Sequence, residues 1–225
     1  MRAAAVSVVV PAFRAARTLD ETLASIRAQT LAPAELLVVD DGSPDATAAV
    51  AAAAGARVLR QANAGVAAAT NAGILAAAHD LVALCDADDL WLPEKLATQA
   101  ALLADPAVDA ALCHFESFAC PTLSPEQRAR IAVPGVRPGW LRSCLLLRRA
   151  AFGRVGGLDA TLRMGDMVDW FDRARAAGLV IALAPEVLMR RRLHPGSLSN
   201  SQTGNHQLYV EMARRALARR RGPAT

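Results

Sequence analysis

Strand-like and helix-like stretches alternate four times before Asp89, a rhythm that confines the chain to a parallel-rich sheet with helices on its faces. Val6-Ser7-Val8-Val9-Val10 is a β-rich run, and Pro11 is expected to end it, because proline cannot donate to a central ladder. Residues 18–29 carry Leu19, Leu23 and Ile26 at helical spacing, with Thr18 as the cap and Glu21 as its capping-box partner. A second strand is expected over 35–39, an Ala-rich helix over 44–54, a third strand over 57–60 and a further helix over 64–78. Leu81-Val82-Ala83-Leu84-Cys85 reads as a short buried strand.

Beyond Ala104 the rhythm changes. A strand is expected over 108–118, followed by a turn-rich stretch over 121–138 whose periodicity assigns it to nothing. Strands over 143–147, 180–183 and 187–193 are expected next, with a helix over 166–177 that packs Trp170 and Phe171. A closing helix is expected over 205–221. A length of 225 residues suits one α/β domain with a full core.

Composition narrows the setting. Residues 6–10 are too short for a secretory apolar segment, and no apolar stretch approaches the roughly 20 residues that span a bilayer. Cys85, Cys113, Cys120 and Cys144 lack metal-ligand spacing and read as reduced cysteines. A cytoplasmic location is therefore expected. Lys95 is the only lysine, so the net charge of +4 rests on arginine. The densest basic patch, residues 214–221, reads as a solvated helix end, with peripheral contact at the inner membrane face as its alternative and no nucleic acid partner.

Two strand ends carry chemistry. Asp86, Asp88 and Asp89 follow the run 81–85 at its carboxyl end, where open α/β sheets bind ligands. Asp86 and Asp88 alternate, so both can turn oxygens toward one cation, and hard oxygens without His or Cys beside them suit Mg2+ or Mn2+ on phosphates. The competing reading makes Asp88 or Asp89 the cap of a helix starting near Pro93. Asp40-Asp41-Gly42-Ser43 closes the second strand; its structural reading is a turn and cap ahead of Pro44.

These segments, with Pro11-Ala12-Phe13, Asn63-Ala64-Gly65, Thr70-Asn71-Ala72-Gly73, Gly156-Gly157-Leu158-Asp159 and Arg192-Leu193-His194-Pro195-Gly196-Ser197, stand in an order that resembles a family-2 glycosyltransferase of the GT-A fold over residues 6 to 200. The resemblance implies a metal-dependent hexosyltransferase that inverts the anomeric carbon of a nucleotide-sugar donor, a UDP-sugar above others, with Mn2+ or Mg2+ as cofactor. It divides the single domain into a nucleotide-sugar-binding half (1–104), an acceptor-side half (105–204) and a basic tail (205–225). By position it implies that Pro11, Ala12 and Phe13 line the base and ribose and that Asp41 binds uracil, with Asp40 supporting the turn. Asn63 and Gly65 would shape the loop over the donor. Asp86 and Ala87 would touch the ribose or sugar, and Asp88 and His194 would meet the metal.

Two positions depart from the family pattern. Met167 stands where the base aspartate usually sits and cannot take a proton, which leaves Asp166 as the first candidate base and Asp169 as the second. Thr70 replaces an arginine that helps grip the donor, and Arg60 or Arg192 are candidates to substitute. The acceptor stays open among saccharide, lipid-linked and peptide. The rival reading is a weakened nucleotide-sugar-binding homologue that acts with a partner enzyme.

Overall fold

The computed structural model describes residues 4–162 and 164–194. Strand β1 (Val6–Ala12) is buried along its whole length and is paired on both sides. On one side lies β2 (Glu35–Asp40), parallel and itself parallel to β3 (Arg57–Arg60); on the other lies β4 (Leu81–Leu84), also parallel. Pro11 does not end β1, because it pairs with Val39. The Val9 carbonyl accepts from Cys85 N, so alternate residues of β1 face β4, and Pro11 is the next one along. Pairing with β4 stops at Val9 and Leu84, so the missing N–H of Pro11 costs no ladder bond.

Helices α1 (Leu19–Arg27), α2 (Thr47–Ala53) and α3 (Val66–Ala76) connect these strands. Leu19, Leu23 and Ile26 are fully buried, as their spacing predicts. The capping box predicted for α1 is absent: the Thr18 hydroxyl donates to Ala87 O instead, and Glu21 pairs with Arg192. Helix α2 starts three residues later than predicted, after a turn in which Asp45 accepts from Thr47 N.

Five residues beyond β4 the chain re-enters the sheet as β5 (Leu90–Trp91), and α4 (Lys95–Leu102) follows. Then come β6 (Ala110–Ala119), the short α5 (Pro125–Ala129) and β7 (Arg137–Pro138). A 3-10 turn at Arg142–Cys144 stands where a strand was expected to begin, and β8 (Leu146–Arg148) follows it. Helix α6 (Arg149–Val155), which has no sequence-based expectation, precedes α7 (Asp166–Ala176). The two predicted late strands are one, β9 (Ile181–Leu193), with register shifts opposite Cys113 to Phe115 that take up Pro185. The nine-stranded mixed sheet runs β3-β2-β1-β4-β8-β6-β9-β5, with β7 beside β6. Loop 85–89 therefore lies across the ends of β8, β6 and β9. Among the described residues no helix is long and apolar enough to cross a membrane, and the predicted helix 205–221 lies outside them.

Close packing of α3 on β1 and β2 depends on Gly73, where an added Cβ would stand 2.2 Å from Val9 Cγ1 and 3.0 Å from Val39 Cγ2. Both valines are stiff and fully buried, so the helix itself must move. Gly73→Ala is expected to destabilise the fold by about 1–3 kcal/mol, overriding the roughly 1 kcal/mol that alanine gains in a helix. A thermal melt reads the difference.

Candidate active site

Loop 85–89 is held from three sides. The Asp86 N–H donates to Ser143 Oγ (2.9 Å), and the Ser143 hydroxyl donates in turn to Asp89 Oδ2 (2.6 Å). Asp89 Oδ1 accepts from the Arg192 N–H, while Arg192 Nε donates to the Asp88 carbonyl (2.8 Å) and Nη2 pairs with Glu21 (2.6 Å). From α1, the hydroxyls of Thr18 and Thr22 both donate to the Ala87 carbonyl. Asp89 is thus a buried brace, its pKa pushed well up by burial and by the charges of Asp88 and Asp86. Neither Asp88 nor Asp89 caps α4, whose N-cap is Glu94.

With the backbone pinned, the side chains of Asp86 and Asp88 remain partly open, at 35% and 29% exposure. Asp88 Oδ2 meets His194 Nε2 at 3.1 Å, and this hydrogen bond, against partial burial, raises the imidazole pKa. Asp86 Oδ1 meets Arg142 Nη1 at 2.8 Å, and Nη2 of the same guanidinium is bonded to Asp166 Oδ2. Asp166, at the first turn of α7, is thereby brought to the strand-end acids. Asp169 is not: it faces Arg173 Nε at 2.8 Å, whose Nη atoms donate to the carbonyls of Val155 and Gly157. Met167 is buried in the core.

The loops after β1, β2 and β3 form one unit. The Asp41 carboxylate accepts from Gln61 Nε2, Ala64 N and Gly65 N at 2.8–2.9 Å, and Asn63 Nδ2 donates to its carbonyl. Asp40, fully buried, accepts from Ser43 N and Arg60 Nε. Gly42, at a φ of +75°, leaves no room for a side chain, since a Cβ would stand 2.9 Å from Asn63 N. Ala12 O accepts from Asp41 N beside buried Pro11, and Phe13 reaches solvent at 45% exposure. Thr70 is buried and donates to Val66 O within its own helix, so this position points into the core. Arg60 and Arg192 are committed to Asp40 and Glu21. Asn71 exchanges two 2.8 Å bonds with the Leu158 backbone, which ties α3 to the Gly156–Leu158 loop leading toward α7.

Residues 7–178 match the family model described as Glycosyl transferase family 2. The chain belongs to this family. An uncharacterized glycosyltransferase of Rickettsia prowazekii is 26% identical over 92% of this chain and 70% of its own. The succinoglycan biosynthesis protein ExoU of Rhizobium meliloti is 35% identical over 77% of this chain and 57% of its own. The fold is of the GT-A type. Staphylococcus aureus TarS 1–349 in complex with UDP-GlcNAc superposes with a TM-score of 0.75 at 19% identity, covering 94% of this chain and 65% of that one. The mannosyltransferase PcManGT from Pyrobaculum calidifontis, in complex with GDP-Man and Mn2+, does so with a TM-score of 0.71 at 22% identity, covering 94% and 64%. Against another TarS structure this chain spans 39% of the length.

Among the described residues of this glycosyltransferase no group of three His, Cys, Asp or Glu side chains is gathered to hold an ion. Asp88 with His194 offers one carboxylate and one imidazole, a partial set that fits a cation whose remaining ligands are diphosphate oxygens and water. Sequence reasoning missed Arg142 and Ser143, whose roles depend on contacts more than fifty residues away.

Proposed function

We propose that the chain is an inverting glycosyltransferase that moves a sugar from a UDP-sugar to an acceptor, assisted by Mn2+ or Mg2+. The observation that carries this reading is the joining of Asp86 to Asp166 through the Arg142 guanidinium, two residues along the same strand-end loop from the Asp88–His194 pair. Pro11, Ala12, Phe13, Asp40, Asp41, Asn63 and Gly65 build the base and ribose side, with Asp86 and Ala87 toward the sugar. Asp88 and His194 would hold the metal, which would supply a Lewis acid at the donor diphosphate. Asp166 takes the acceptor proton as the acceptor attacks; inversion needs such a base on the face away from the leaving group. The name of the relative ExoU, a succinoglycan biosynthesis protein, supports a saccharide acceptor.

Thermal melting of the purified chain against UDP, GDP and their sugars, with and without Mn2+, tests the reading. UDP near one hundred times its Kd, with Mn2+, is expected to add about 2.7 kcal/mol, or roughly 5–10 °C for a chain of this size. A melt unmoved by every nucleotide, with or without metal, refutes donor binding. A shift without any metal-dependent donor hydrolysis favours the non-catalytic homologue.

A further inference from the structure

Resting on the transferase reading, we infer that Arg142 is a positioning residue: its guanidinium holds the donor-side Asp86 and the base Asp166 in register with each other. The fork is divided between them, Nη1 to Asp86 and Nη2 to Asp166, so the relative placement of the two carboxylates is set by one planar group. Its neighbour Ser143 holds the backbone N–H of the same Asp86 and the carboxylate of Asp89. One 3-10 turn therefore fixes both the main chain and the side chain of the first strand-end aspartate, and reaches the start of α7 as well.

The position of Arg142 between two acids of the site separates this arrangement from an isolated ion pair. Arg142 is 6% exposed, and its Nε is buried without a hydrogen-bond partner. Asp86, Asp88, Asp89 and Asp166 are acids of one neighbourhood, and Arg142 is the buried cation placed between two of them. Removing it leaves two facing carboxylates that repel each other and turn apart. Burial works against the charge on Arg142, and the two carboxylates more than offset it. A displacement of about 1 Å in a reacting group is enough to cost roughly 100-fold in rate. Met167 gives the arrangement its importance, because no acid on the next residue can replace a misdirected Asp166.

The test uses the full chain with Mn2+ and three donors, UDP-glucose, UDP-GlcNAc and GDP-mannose, and reads donor hydrolysis together with calorimetric binding of UDP. R142Q is expected to lower kcat by about 100-fold while the donor KM and UDP affinity stay within about fivefold. R142K is expected to recover less than a tenth of the loss, since an ammonium cannot bridge two carboxylates at fixed angles. R142Q/D166N is expected to be no slower than the slower single variant, because both lesions remove one function. A folded R142Q or R142K with kcat within threefold of the unsubstituted chain overturns the inference, and so do losses that multiply in the double variant. Should R142Q fail to fold, R142K decides by the same split between kcat and KM. Hydrolysis of none of the three donors by the unsubstituted chain overturns the transferase reading itself, a failure distinguishable because it precedes any substitution.

Discussion

Asp88→Asn is expected to reduce metal-dependent turnover of the nucleotide sugar by roughly 100- to 1,000-fold, the size of effect seen when a single preorganised electrostatic element is removed. The loop around Asp88 is fixed by Ser143, Arg192, Thr18 and Thr22, and none of these bonds uses the Asp88 side chain. The substitution therefore removes a charge and leaves its scaffold. It also acts on His194, whose pKa the Asp88 hydrogen bond raises. A raised imidazole pKa means that this pair stabilises the donor-free fold fully below the ordinary value of about 6.5, and that the contribution fades as pH rises through the higher folded value. With His194 as a metal ligand, as proposed, Mn2+ would compete with the proton in the same window, and its affinity is expected to increase with pH. Calorimetric Mn2+–UDP titrations and melts across about pH 5 to 9 check both signs. In Asp88→Asn the melting difference attributable to the pair is expected to vanish toward the alkaline end.

What the sequence discloses of this molecule is its local chemistry. The apolar run before Asp86 announces a buried strand, and β4 is one; Leu19, Leu23 and Ile26 announce the inner face of α1. Gly42 is legible as a turn residue, whereas the need for Gly73 emerges only from its packing on Val9 and Val39. Distant partnerships are not legible. Glu21 stands three residues after Thr18, as a capping box requires, yet its carboxylate serves Arg192 across 171 positions. Lys95 counts as surface charge in any composition argument but is fully buried, donating to Gln99 and lying 4.0 Å from the Trp91 ring centroid. Burial lowers its pKa. Asp89 reads as a candidate helix cap and proves to be a brace. In each case the residue type is compatible with two environments, and only the sheet order, with β5 set beside β9, decides between them.

Asp166→Asn and Asp169→Asn are expected to fail in different ways, and the difference decides which carboxylate is the base. Asp166 faces Arg142 and, through it, Asp86. An amide there keeps the size of the side chain and loses the ability to take a proton, so transfer is expected to fall by about 100- to 10,000-fold with UDP affinity nearly unchanged. Asp169 instead completes a bracket. Arg173 joins it to the carbonyls of Val155 and Gly157, and Trp170 Nε1 donates to Gly156 O, so the turn preceding α7 is held by that one helical face. Asp169→Asn removes a charge-assisted hydrogen bond that is 7% exposed on the carboxylate side, and a stability loss of about 1.5–3 kcal/mol is expected, with kcat affected far less than by Asp166→Asn. Parallel melts and rate measurements on the two variants separate the roles. A stable Asp169→Asn protein with the larger rate loss would transfer the base from Asp166 to Asp169, and with it would remove the reason for Arg142 to hold Asp166 toward the donor.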